Sequence, residues 1–214
     1  MNGRHVTPMD GVHPLDARNG CYPIGEFVHK GTNVVELSRE TMSLLAEISF
    51  AFVAGDFSVV PTASGFAVKA PVPVSTGAWK DQGLPFYSWD VSYTAEYDID
   101  GLKDGYVLKL GRWKGTVCEV FVNDRKAGII AFQPYEMDIT SFLKEGRNSV
   151  KVVCTGSLAN LFGPHYSPRA GSMGPLSWDG VTERKGGLDY IFDGYGLYEA
   201  FEISEAVRPD TPSR

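Results

Sequence analysis

The chain has 214 residues, room for one generous domain with its own core but not for two complete ones. Its formal net charge of −6, from 20 basic and 26 acidic side chains without a Lys/Arg cluster, argues against a nucleic-acid partner, whose phosphates need a concentrated basic surface. No run of about eighteen apolar residues is available to span a bilayer, and the 43% hydrophobic and 21% charged content is that of a globular chain.

Residues 1–33 are rich in Gly, Pro, Asn and His without a sustained period, and read as an irregular lead or strap. Met1-Asn2-Gly3-Arg4-His5 lacks the apolar segment of a secretory leader, so the chain is either cytoplasmic or a piece of a longer periplasmic or extracellular protein. In residues 34–53, Ser38-Arg39-Glu40-Thr41 suggests a turn, and 45–53 alternates well enough to predict a strand with Ile48, Phe50 and Phe52 inward. Residues 57–60 and 65–69 form a hairpin pattern broken at Pro61-Thr62-Ala63-Ser64.

The clearest β signal is residues 91–99, apolar at every second position, as in an antiparallel strand with one wetted face. Turn residues at 100–105 lead to a strand over 106–110. A turn at Gly111-Arg112-Trp113-Lys114-Gly115 leads to one over 116–122, and Asn123-Asp124-Arg125-Lys126 turns the chain into 127–132. Residues 135–146 read as one short helical turn ended by glycine, with Asp138 or Thr140 as its cap. Strand returns over 148–154, a long loop fills 156–189, and 196–203 is the closing strand. Many short strands at regular spacing and no long helix predict an all-β sandwich of jelly-roll type.

Three cysteines, Cys21, Cys118 and Cys154, have neither Cys-x-x-Cys nor metal-like spacing, which argues against zinc. Cys118 and Cys154 lie in strand-like runs, where they either pack as small hydrophobes or, on neighbouring strands, come within bridging distance. Asp98, Asp100 and Asp104 around a glycine turn leave a structural calcium open, although their spacing matches no recognised loop; no other cofactor is expected.

The content of 12 Phe, 10 Tyr and 4 Trp exceeds what a small core requires; the rings serve either as platforms for sugar faces or as ordinary β-formers. Trp113, between two glycines, is the best candidate for an exposed platform, and Trp178 in the long loop is another. The stretch Asn160-Leu161-Phe162-Gly163-Pro164-His165-Tyr166 follows a strand and carries an amide, an imidazole and a phenol suited to sugar hydroxyls. The alternative is that Asn160 ties down its own loop and His165 caps a carbonyl. Glu136 with Asp138, and Asp179 with Glu183, are the nearest approach to the carboxyl pair of a glycosidase, but neither has a recognisable catalytic surrounding, so no catalytic residue is assigned.

Several motifs occur in a characteristic order: Trp79-Lys80-Asp81-Gln82-Gly83-Leu84-Pro85-Phe86-Tyr87, Leu110-Gly111-Arg112-Trp113-Lys114-Gly115-Thr116, Val122-Asn123, Asp138-Ile139-Thr140, Gly146-Arg147-Asn148 and Gly163-Pro164-His165. In this the chain resembles the galactose-binding-like β-sandwich domains of large bacterial glycoside hydrolases, including the sugar-binding domain of family two and the C-terminal domain of rhamnosidase-like enzymes. The resemblance covers roughly residues 30–204. It implies a jelly roll of two antiparallel sheets with one or two short helical turns, preceded by the lead 1–33 and followed by a tail 205–214. It also implies a noncatalytic module for polysaccharide degradation whose partner is a glycan or oligosaccharide; by residue type and position, Trp113, Asn160, His165, Tyr166 and Trp178 are the candidates to contact it. The alternatives are an interdomain module docked on a catalytic glycoside hydrolase domain, or a small glycosidase.

Overall fold

The computed structural model describes residues 1–12, 15–17, 19–38, 41, 44, 51–163, 165 and 186–206. The chain divides into two compact units, Met1–Val53 and Ala54–Arg214. In the first, none of the described residues is buried, and polar side chains set the backbone path. Asn2 is the knot: its amide nitrogen donates to the Phe27 carbonyl (2.8 Å) and to Asn33 Oδ1 (2.9 Å), while its Oδ1 accepts from the Val34 N–H. A lone antiparallel bridge joins Met9 and Cys21, and a single 3-10 turn occupies Gly25–Phe27. Of the strand expected over 45–53, residues 45–50, with Ile48 and Phe50, lie outside the described residues. Residues 51–53 are not strand, and Phe52 is exposed.

The second unit is an all-β sandwich. Its hairpin β1 (Ser58–Thr62) and β2 (Gly65–Lys69) turns at Ala63-Ser64, so Pro61 and Thr62 belong to the strand rather than to the break. Four strands form the larger sheet, in the order β3 (Asp90–Ile99), β9 (Gly146–Thr155), β6 (Val117–Val122) and β7 (Arg125–Ile130), all antiparallel. The period of two that identified β3 in the sequence recurs in β9 and β6. Val150, Val152 and Cys154 of one and Cys118, Val120 and Val122 of the other are fully buried, while the residues between them face outward. Asn123 and Asp124, both in the left-handed region, make the two-residue turn from β6 to β7 that right-handed strand twist prefers.

The facing sheet has three strands, β11 (Glu202–Glu205), β4 (Tyr106–Lys109) and β8 (Glu136–Asp138). Here the structure corrects the sequence reading of 135–146: it opens as an edge strand and only then makes a 3-10 turn at Thr140–Phe142. The cause is the pairing of Met137 with Leu108, a distant partner invisible to local propensity. Ile139 holds the N-cap position of that turn, and Asp138 Oδ1, one residue before it, accepts from the Thr140 N–H at 2.9 Å. The closing strand is also corrected. It is two pieces, β10 (Gly196–Leu197), paired with β5 (Trp113–Lys114), and β11, separated by residues 198–201.

Between the sheets lie Leu108, Val120, Val122, Ile139, Val150, Val152, Leu197 and Phe201, with Trp79 closing one end. Trp79 heads the 3-10 turn Trp79–Gln82, is 1% exposed, and donates from Nε1 to the Tyr93 hydroxyl at 2.7 Å. Behind it Gly196, at φ 141°, lies so close to the Gly77 carbonyl that a Cβ would sit 2.2 Å from that oxygen, so only glycine fits.

Candidate functional site

Where β9 leaves the sheet, Thr155 is followed by Gly156, Ser157 and the short helical turn α1 (Ala159–Phe162). The returning segment 186–195 runs beside it. Asn160 joins the two: it is 4% exposed, its Nδ2 donates to the Asp193 carbonyl at 2.9 Å, and its Oδ1 accepts the Asp193 N–H at 2.8 Å. An amide pairs both groups of one peptide in this way much as a strand would, and the bonds keep Asn160 inside its own loop. A second link, the Ile191 N–H donating to the His165 carbonyl at 2.7 Å, continues the pairing.

This arrangement aligns a polar row that the sequence reading did not identify. Ser157 Oγ accepts the Ala159 N–H and lies 2.5 Å from the Tyr195 hydroxyl, which donates to Asp193 Oδ2 at 3.1 Å; the other carboxylate oxygen is paired with Lys114 Nζ. Lys114 comes from β5, and its ammonium lies 5.9 Å from the Tyr195 ring centre. The hydrogen bond from Lys114 holds the Asp193 carboxyl below its ordinary range, and the same bond raises the Lys114 ammonium. Burial pushes the Tyr195 phenol up. Near neutrality the row therefore has an ionised carboxylate, a protonated amine and a protonated phenol. Lys114 and Asp193 are each about half exposed and form its open end.

These directions fix a pH dependence. The stabilisation from Asp193, whose folded pKa is lowered, is complete above its ordinary 3.8 and is lost as pH falls through the folded value. That from Lys114, whose pKa is raised, is complete below 10.5 and lost as pH climbs through the folded value. The difference in urea midpoint between wild type and Lys114→Met is expected to be modest, because solvent screens the pair, flat from about pH 5 to 9, and to shrink on either side. A difference that stays unchanged at low pH contradicts the pairing.

His165 sits among rings. Its Nε2 is 2.9 Å from the Asn160 carbonyl, and its imidazole is within 5.0–5.7 Å of Tyr190, Phe192 and Phe86, with Phe66 of β2 completing the cluster. Gly187 lets the returning segment press against the β1–β2 turn, where a Cβ would be 1.9 Å from the Gly65 carbonyl oxygen. The structure thus brings Asn160 and His165 together and links them through Asp193 to Lys114. Trp113 is placed otherwise. It is half-buried in β5, edge-on to Tyr135 at 5.4 Å, with an indole N–H that is buried and without a hydrogen-bond partner among the described residues, whereas the sequence had suggested an exposed turn. Tyr166 and Trp178 lie outside the described residues.

The other candidate chemistries find structural roles. Glu136 pairs with Lys109 at 3.4 Å, and Asp138 caps Thr140; Asp179 and Glu183 lie outside the described residues. Among the described residues no three His, Cys, Asp or Glu side chains converge to hold a metal ion, and no helix is long and apolar enough to cross a membrane. Leu110 floors two hollows of about 530 and 360 Å³, walled by Tyr135 and Glu136 on one side and by Glu199 and Glu202 on the other.

No protein-family model and no curated protein matches the chain. Among solved structures it is similar to a rhamnosidase from Novosphingobium sp. PP1Y, at 20% identity and a TM-score of 0.44, over 77% of this chain and 16% of that one. It is also similar to the β-glucuronidase of Bifidobacterium dentium, at 17% identity and a TM-score of 0.41, over 69% of this chain and 28% of that one. A GH2 β-galacturonidase from Eisenbergiella tayi gives 20% identity and a TM-score of 0.34, over 69% and 22%. The chain thus spans less than a third of the length of each.

Proposed function

We propose that this chain is a noncatalytic carbohydrate-binding module of galactose-binding-like, jelly-roll type, working with bacterial glycoside hydrolases. The observation that carries this reading is the row Ser157–Tyr195–Asp193–Lys114. Its inner members are satisfied by one another, its outer two present a carboxylate and an ammonium to solvent, and Phe192 of the ring cluster is the chain neighbour of Asp193. Sugars are held by such paired donors and acceptors next to flat apolar surface. The ordered motifs from Trp79 to His165 support the family.

A glycan array followed by calorimetry tests it. Wild type is expected to bind at least one plant or host glycan, and Asp193→Asn and Lys114→Met to weaken that binding about tenfold or more, as loss of one charged hydrogen bond does, with circular dichroism unchanged. A folded wild type silent on both methods overturns the reading.

A second reading, an interdomain module, is favoured by Leu158, Phe162, Leu188 and Ile191. These residues are 46–69% exposed on the two segments that Asn160 ties together. It requires complex formation with a glycoside hydrolase catalytic domain that Leu158→Asp and Ile191→Asp abolish.

A further inference from the structure

The sheet positions one pair of reactive groups that the binding row does not use. Cys118 of β6 and Cys154 of β9 are direct cross-strand partners in the middle of the four-stranded sheet, flanked by the pairs Val117 with Thr155 and Glu119 with Val153. Both are wholly buried, and their sulfurs lie 2.9 Å apart. Residues directly opposite on antiparallel strands have Cα atoms about 4.5–5.5 Å apart, inside the roughly 4.4–6.8 Å window that a disulfide accepts. The cross-strand register thus brings the two sulfurs within reach of one another.

We propose that Cys118 and Cys154 are an oxidation site, joined as an intramolecular disulfide by exchange with a disulfide-type oxidant such as oxidised glutathione. One cysteine thiolate attacks an oxidant sulfur and displaces the first oxidant thiolate. The second cysteine sulfur attacks the mixed disulfide and displaces the other. Two protein S–H bonds and one oxidant S–S bond are lost, one protein S–S bond and two oxidant thiols are formed, and the two protons end on the released thiols. The hydrogen bond between the two sulfurs, together with burial, pushes the Cys118 thiol up, so thiolate is scarce in the folded sheet. The exchange therefore belongs to the period when β6 and β9 are still open, and the finished bond is shielded from reductant by the same burial. Cys21, half-buried in the other unit, stays a thiol and serves as internal reference.

The test is to refold the full chain in a glutathione redox buffer and to alkylate it in denaturant. The expected product has one alkylated thiol per chain, is two hydrogens lighter than the reduced form, and yields a linked peptide containing Cys118 and Cys154. Reductant applied in denaturant, followed by refolding, is expected to lower the wild-type melting temperature by about 5 °C or more and to leave Cys118→Ala/Cys154→Ala unchanged. Three alkylated thiols in a chain that has refolded overturn the proposal. That count is made on wild type and decides the matter even if the double variant does not fold.

Discussion

Replacing Trp79 with alanine is expected to cost about 3–5 kcal/mol, the range for removing a large buried aromatic. The indole is 1% exposed, packs on Tyr87 and Tyr195 with ring centres 6.0 and 6.3 Å away, and backs onto Gly156 and Gly196. Its N–H is the donor to the Tyr93 hydroxyl, so truncation opens a cavity and removes a buried partner together. At roughly 2–4 °C per kcal/mol for a domain of this size, the melting temperature is expected to fall by about 6–20 °C. Trp79→Phe keeps most of the packing and loses the hydrogen bond, for about 1–2 kcal/mol. A thermal melt in which both variants stay within a degree or two of wild type would place the indole outside the core.

Asn148→Ala is the second large effect, about 2–4 kcal/mol from a side chain that is small but saturated. Asn148 is fully buried; its Oδ1 accepts from the Lys144 N–H and from Asn123 Nδ2, both at 2.9 Å, and its Nδ2 donates to the carbonyls of Lys144 (2.7 Å) and Gly146 (2.8 Å). Removing it strands two carbonyls and two donors at the entry to β9. Asn148→Asp is expected to be worse at neutral pH, because it directs a buried carboxylate at those same carbonyls. Urea denaturation compared with wild type measures both, and an order reversed between alanine and aspartate would show that the site admits water.

These motifs explain why the fold was legible. Asn123, Asp138-Ile139-Thr140 and Gly146-Arg147-Asn148 were read as marks of a sandwich, and in the structure each is a turn or strand entry held by its own side chains. Such signals are local, as is the alternation that identified β3 and β9, and local signals survive in one dimension. The edges were harder. β8 and β10 are three and two residues long, and their strand character comes from Leu108 and Trp113, partners far away in sequence.

The candidate site was the least legible for the same reason. Lys114 meets Asp193 across 79 positions, and nothing in either neighbourhood announces the other. The loop from Ser157 to His165 could be singled out from its residue types, yet its amide is spent on fixing the loop. The groups facing solvent were supplied by segments read as a plain turn and a plain connection.

The strip from Tyr195 to Leu197 has a bearing on how the molecule is made. It is hydrogen-bonded on one side to β5 and on the other to residues 77–79, and just beyond it the Phe201 carbonyl receives the Tyr97 hydroxyl from 104 positions upstream. A ribosome that has not yet reached Tyr195 has delivered neither the wall behind Trp79 nor β11, so the contacts that close this seam, between segments as much as 104 positions apart, can form only once that stretch has been made.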